Sequence, residues 1–240
     1  PDQYYLDYLC EIRTPRFPQT QPMSVGSAFD ANVKSWLHYR LFGNYGKNNE
    51  FAKDTIFEQQ VEEHHRDWAR VAGEHCFKVY AESGALGDLL LELQEASEDP
   101  KFEFTVENRV AHESVVNGIP VLGKPDVYWT TKGGYLAIDD WKVNGYCAKS
   151  KRSPNKGFIM EYPSRKSHRG STIQMVDGNL VNVSMTLTDA NPGWAQQLIA
   201  YSWVICDDCP FVAGIGQLSC SNSGQDIRIA RFRNIITQAE

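Results

Sequence analysis

A change of hydrophobic period near residue 102 constrains this 240-residue chain more than any other feature. Upstream, apolar residues recur every three or four positions, the spacing of a helix with one buried face. Signals at Ser24 to Ser27 precede Phe29, Val33, Trp36 and Leu37, and residues 43–49 (GNYGKNN) interrupt the pattern. Phe57, Val61, Trp68, Ala72, Cys76 and Val79 then predict one long helix from about 54 to 82. His65 lies on its buried face, and Glu58 and Glu62 border that face. Gly84 to Leu93 predicts a second, short helix. Downstream the period becomes two, in 102–110, in 119–146 and in a hairpin-like stretch around Asp177-Gly178-Asn179. One more helix, Gly193 to Ile205, starts after Asn191-Pro192, and two strands flanking a Ser-Asn-Ser-Gly turn close the chain. Helices followed by strands, with a helix returning between strands, imply an α/β fold: a central mixed sheet flanked by helices. At this length one large domain is the simplest organisation, with 1–22, rich in proline and tyrosine, as an N-terminal arm.

The stretch 119–146 carries the chemistry. Pro125-Asp126 sits on one apolar run, Asp140-Trp141-Lys142 on the next, and Lys132-Gly133-Gly134 turns between them. Side chains alternate along a strand, so Asp140 and Lys142 share a face while Asp139 and Trp141 point to the other. Closing the hairpin brings Asp126 near Asp140, giving two carboxylates and an ammonium in one patch. That combination suits a hard divalent cation bound by oxygen, with a lysine beside the developing charge. A D-x-K triplet alone is weak, since charged residues often stand two apart on solvated strands. Its pairing with a Gly-x-Pro-Asp one hairpin earlier is what gives it weight.

Net charge is −6, which argues against a surface that binds nucleic acid everywhere. Residues 149–170 nevertheless hold seven Lys or Arg against one Glu, leaving −12 for the rest. This basic loop, spanning 147–170 and including Lys149, Lys151, Arg152 and Lys156, could hold a phosphate backbone near the hairpin. No apolar run approaches the ~18 residues of a membrane span. The six cysteines (10, 76, 147, 206, 209 and 220) are scattered through a chain too large to need stapling, which reads as reduced thiols in a cytoplasmic protein.

Asp126 and Asp140-Trp141-Lys142 on successive hairpin strands resemble the core motif of the PD-(D/E)XK nuclease superfamily. Gln197 and Tyr201, a Q-x-x-x-Y on the following helix, resemble its RecB-like branch, which includes phage recombination exonucleases. The likeness covers roughly residues 24–206, with specific motifs in 123–142 and 197–201. It implies a restriction-endonuclease-like core, Asp126 and Asp140 as metal ligands, and Lys142 as the catalytic lysine. It also implies the Trp141 carbonyl as a further ligand, Mg²⁺ or Mn²⁺ as cofactor, and DNA ends as substrate. Gln197 and Tyr201 would share one helical face and either reach DNA or brace the metal site. Family members commonly add an upstream Glu or His, for which Glu62 is the first choice here and His65 the second.

Some members of this branch carry an iron–sulfur cluster, and Cys10, Cys206, Cys209 and Cys220 mimic its order. The family's closely spaced C-terminal cysteines are missing, so no cluster is expected. The resemblance thus implies a DNA exonuclease of phage or bacterial recombination, in a bacterial or phage-infected cell. Self-association or a recombination partner protein is compatible with it. A structure-selective endonuclease, or a non-catalytic nucleic-acid binder on the same fold, is the alternative; retention of the lysine beside paired carboxylates speaks against the binder.

Overall fold

In a computed structural model, residues 17–43, 50–102, 112–116, 119–147, 175–176, 179–180, 191–206, 209–220, 222 and 227–237 are described. The α/β architecture expected from the sequence is present. Among the described residues, helices α1 (Gln21–Phe42), α2 (Lys53–Gln60), α3 (Arg66–Glu82) and α4 (Ala85–Gln94) precede the strands. These are β1 (Lys101–Phe102), β2 (His112–Val116), β3 (Ile119–Gly123), β4 (Val127–Thr130), β5 (Leu136–Asn144), β6 (Met175–Val176) and β7 (Asn179–Leu180). Helix α5 (Pro192–Cys206) precedes β8 (Phe211–Cys220) and β9 (Ile227–Ile236). Among the described residues, no helix is long and apolar enough to cross a membrane.

The main sheet has the order β1-β4-β5-β8-β9, and its β5–β8 pair is parallel while the others are antiparallel. A parallel pair needs a crossover, and α5 lies in it. The β4–β5 hairpin forms as its sequence predicts. Thr131 N donates to Tyr135 O (2.8 Å), Gly134 N donates to Thr131 O (2.9 Å), and Gly134 takes a positive φ of 81° that favours glycine. The β8–β9 hairpin and the small β6–β7 hairpin also stand where the alternation puts them.

Alternation along β5 and β8 separates two cores. Val127, Trp129, Ala137, Trp141, Leu218 and Cys220 pack with Phe29, Leu37, Phe57, Cys76 and the leucines of α4. Ile138, Phe211, Ala213, Ile215 and Ile236 pack instead with Leu198 and Tyr201 of α5. One face of the sheet is thus covered by α1–α4 and the other by α5. Each fully buried Phe or Leu contributes about 1.5–3 kcal/mol relative to exposure, so both layers are held chiefly by apolar burial.

The single helix expected over 54–82 is broken. Val61 (φ −108°, ψ 123°) and Glu62 (φ −60°, ψ 139°) are extended, and a 3-10 turn over Glu63–His65 leads into α3. The break exposes backbone groups that a continuous helix would pair, and side chains of distant Gln19 and nearby Arg66 satisfy them. Gln19 Nε2 donates to Gln60 O (2.7 Å), and Glu62 N donates to Gln19 Oε1 (3.2 Å). Arg66 donates to Val61 O (3.1 Å) and Glu58 O (2.7 Å). The apolar period survives the break because Val61 is buried on both readings.

Helix α1, which reaches the hairpin, is pressed onto α3 at Gly73. A Cβ there would stand 2.5 Å from Ala28 Cβ and 2.7 Å from its carbonyl carbon. Gly73→Ala is therefore expected to destabilise the protein by about 1–3 kcal/mol despite alanine's better helix propensity. Urea unfolding checks this, and an unchanged or raised midpoint would contradict the close approach.

Candidate active site

The hairpin register explains how the carboxylates meet. Pairing of β4 with β5 ends at Val127↔Asp139, so Asp126 stands opposite Asp140 just beyond the ladder. The amide of Trp141 therefore lies past β4, and Asp126 Oδ2 accepts from it at 2.9 Å. Gly123, at the end of β3, lies close against α5: a Cβ there would stand 3.1 Å from Tyr201 Cδ1.

Alternation on β5 separates the two neighbouring aspartates as expected. Asp140 and Lys142 form an ion pair on the α5 side. Asp139 turns to the other face and pairs with Arg233 (2.9 Å), which also meets Glu92 (2.5 Å) and lies 5.2 Å from the centre of the Trp129 ring. Asp139 is therefore engaged in holding β5, β9 and α4 together.

Helix α5 completes the patch. Lys142 Nζ donates to Gln197 Oε1 (2.8 Å), and Gln197 Nε2 donates to the Tyr201 hydroxyl (2.6 Å). The four-residue spacing that sets Gln197 and Tyr201 on one face thus turns both toward the hairpin. Burial, then the charges of Asp140 and Asp126, raise the Tyr201 phenol well above its ordinary range, so it stays neutral.

Helix α1 supplies two residues that the sequence reading did not select. Trp141 Nε1 donates to Asp30 Oδ1 (2.7 Å), and Lys34 Nζ lies 3.0 Å from Asp30 Oδ2 and 3.5 Å from Asp126 Oδ1. The available signal was an acid and a base four apart, flanking Phe29, Val33 and Leu37 on a helix whose apolar face is buried. Glu62, the expected upstream ligand, sits in the helix break, where it accepts from Gln19 N (3.0 Å) and lies 3.5 Å from His64 Nδ1. His65 contacts Ser24 Oγ (3.1 Å) and the edge of Trp68. Lys149, Lys151, Arg152 and Lys156 lie outside the described residues.

Electrostatics reflect crowding of like charges. Burial, and then the adjacent Asp140 carboxylate, push the Asp126 carboxyl up to about 7, against Lys34 and Lys142. Burial likewise raises Asp30, although Lys34 opposes it. Burial works against the Lys34 ammonium, but Asp30, Asp126 and Asp140 outweigh it and keep it charged. Two close carboxylates that resist joint ionisation form a donor set that a divalent cation would relieve. Among the described residues, no set of three His, Cys, Asp or Glu is arranged to hold a metal ion. Asp126 and Asp140 would hold one as two hard oxygen donors, leaving other positions to water and substrate, as suits Mg²⁺.

The cysteines depart from the reading of six reduced thiols. Cys206 and Cys209 are joined in a disulfide at the end of α5, with Cα atoms 5.6 Å apart, inside the span such a bond needs. Cys220 faces the helical layer, its sulfur 3.6 Å from that of buried Cys76, and so points away from α5. Cys10 lies outside the described residues. Comparison of the chain with protein-family models, with curated proteins and with solved structures gives no match.

The raised Asp126 carboxyl gives a pH-dependent expectation. Folding favours its protonated form, so this group's contribution to stability is present below about pH 4 and lost as pH rises through about 7. In EDTA, Asp126→Asn is expected to melt several degrees above the parent at pH 8, with the gap closing toward pH 4. A variant that melts below the parent at pH 8 would contradict the crowded pair.

Proposed function

We propose that the protein is a metal-dependent DNA nuclease of the PD-(D/E)XK type, RecB-like branch, built on a restriction-endonuclease-like core. The observation that carries this reading is the placement of Lys142 Nζ between Asp140 and Gln197, with Asp126 one residue beyond the ladder. Four motif residues from three separate stretches converge there, and a merely solvated ion pair on a strand would need neither Gln197 nor Asp126.

Each residue has a distinct task in this reading. Asp126 and Asp140 would hold Mg²⁺ or Mn²⁺, with the Trp141 carbonyl as the further ligand that the family resemblance implies. A bound cation supplies polarisation of the phosphate and a lowered pKa for water. The Trp141 amide orients Asp126 by occupying its Oδ2. Lys142, held by Gln197, presents its ammonium to the charge that builds on the phosphate oxygens. Tyr201 keeps Gln197 in its rotamer through the 2.6 Å bond. The basic run after β5 suits a polyanionic substrate, and digestion from ends, as in phage or bacterial recombination, follows from the family resemblance.

The test is release of nucleotides from end-labelled linear DNA with Mg²⁺, Mn²⁺ or EDTA. Asp126→Ala, Asp140→Ala and Lys142→Ala should each lower release by at least about 100-fold with circular dichroism unchanged, and EDTA should abolish it. Full activity in EDTA or in those variants would sink the mechanism. Closed circular DNA should resist digestion; if it is cut, the protein is an endonuclease. Gln197→Ala should lower turnover by roughly 10–100-fold through loss of lysine positioning. An unaffected Gln197→Ala enzyme would remove α5 from the mechanism.

A further inference from the structure

We propose that Lys34 is a resident cation that competes with the divalent ion for Asp126, so that this lysine sets the metal affinity of the site. The inference rests on the nuclease reading, because it takes Asp126 and Asp140 as the ligands.

The oxygens of Asp126 and Asp30 are already divided. Asp126 Oδ2 accepts from the Trp141 amide, and Oδ1 lies 3.5 Å from Lys34 Nζ. Oδ1 is thus the Asp126 oxygen left without a backbone partner, and it is the one nearest the ammonium. Asp30 is held at both ends, Oδ1 by the Trp141 indole (2.7 Å) and Oδ2 by Lys34 (3.0 Å). It therefore fixes the lysine in place. The Lys34 side chain is only 5% exposed, so its charge has little water and depends on these carboxylates. Its ammonium also lies 5.9 Å from the centre of the Trp141 ring, which leaves it facing the hairpin.

Charge count gives the direction. With all three carboxylates ionised, Asp30, Asp126 and Asp140 against Lys34 and Lys142 leave the patch one negative charge. A divalent ion overshoots neutrality while Lys34 remains and reaches it when Lys34 is absent. The lysine thus keeps α1 clamped to the hairpin without metal, at the expense of binding metal weakly. Ligands from substrate phosphate would then be needed for tight loading, which would couple metal occupancy to DNA.

Calorimetric titration with Mn²⁺, without DNA, tests this. Lys34→Met should bind Mn²⁺ about tenfold or more tightly than the parent, and its melting temperature should fall in EDTA and rise further than the parent's on adding Mn²⁺. Lys34→Met combined with Asp30→Asn restores the charge count and should return the affinity toward the parent value. Lys34→Arg should stay close to the parent. If Lys34→Met is unfolded in EDTA, folding driven by Mn²⁺ supports the proposal, and failure to fold at any Mn²⁺ concentration overturns it. Equal or weaker Mn²⁺ binding by a folded Lys34→Met also overturns it. In a parent that binds Mn²⁺ and digests DNA, that result leaves the nuclease reading intact. A parent that binds no Mn²⁺ removes both.

Discussion

The pair of bonds made by Trp141 is the constraint on which the rest of the site depends. Its amide reaches past the end of β4 to Asp126, and its indole, on the helical face of the sheet, reaches Asp30 on α1. An unpaired strand amide in a buried setting costs about as much as a lost hydrogen bond, so the short β4 ladder requires a side-chain acceptor at that point. Asp126 meets the requirement and is thereby fixed opposite Asp140. The indole then ties the same residue to the helical layer, which brings Lys34 into the patch. One tryptophan accordingly joins hairpin, sheet and helix into a single polar cluster.

The neighbouring aspartates of β5 show how one strand can feed two separate polar clusters. Asp139 is neutralised by Arg233 among apolar groups, with Gly214 leaving room for the guanidinium. Asp140, one residue on, faces Lys142 and the α5 side. Opposite faces keep the Asp139–Arg233 pair apart from the Asp140–Lys142 pair, so each carboxylate has its own partner.

Much of this was legible in the sequence. Period-two alternation separated Asp140 from Asp139, and four-residue spacing placed Gln197 and Tyr201 together, because both rules are local and geometric. What escaped depended on partners far along the chain. The interruption at Val61–Glu62 is stabilised by Gln19, more than forty residues upstream, and no breaker residue marks it. Asp30 and Lys34 were hidden because α1 was read for its apolar stripe, whereas their role comes from Trp141 and Asp126, which only tertiary packing brings near. Chain length says nothing of the Cys206–Cys209 bond, which joins two sulfurs brought together locally at the end of α5.

The parallel pairing of β5 with β8 carries a consequence for the timing of synthesis. Antiparallel hairpins can close as soon as they emerge from the ribosome, but β5 finds its second neighbour only after the whole crossover and α5 have followed. Lys142 gains Gln197 from that same crossover. A nascent chain therefore carries both aspartates early but lacks the anchored lysine until α5 has been made. The polar cluster is completed late, and unfinished chains are left without it.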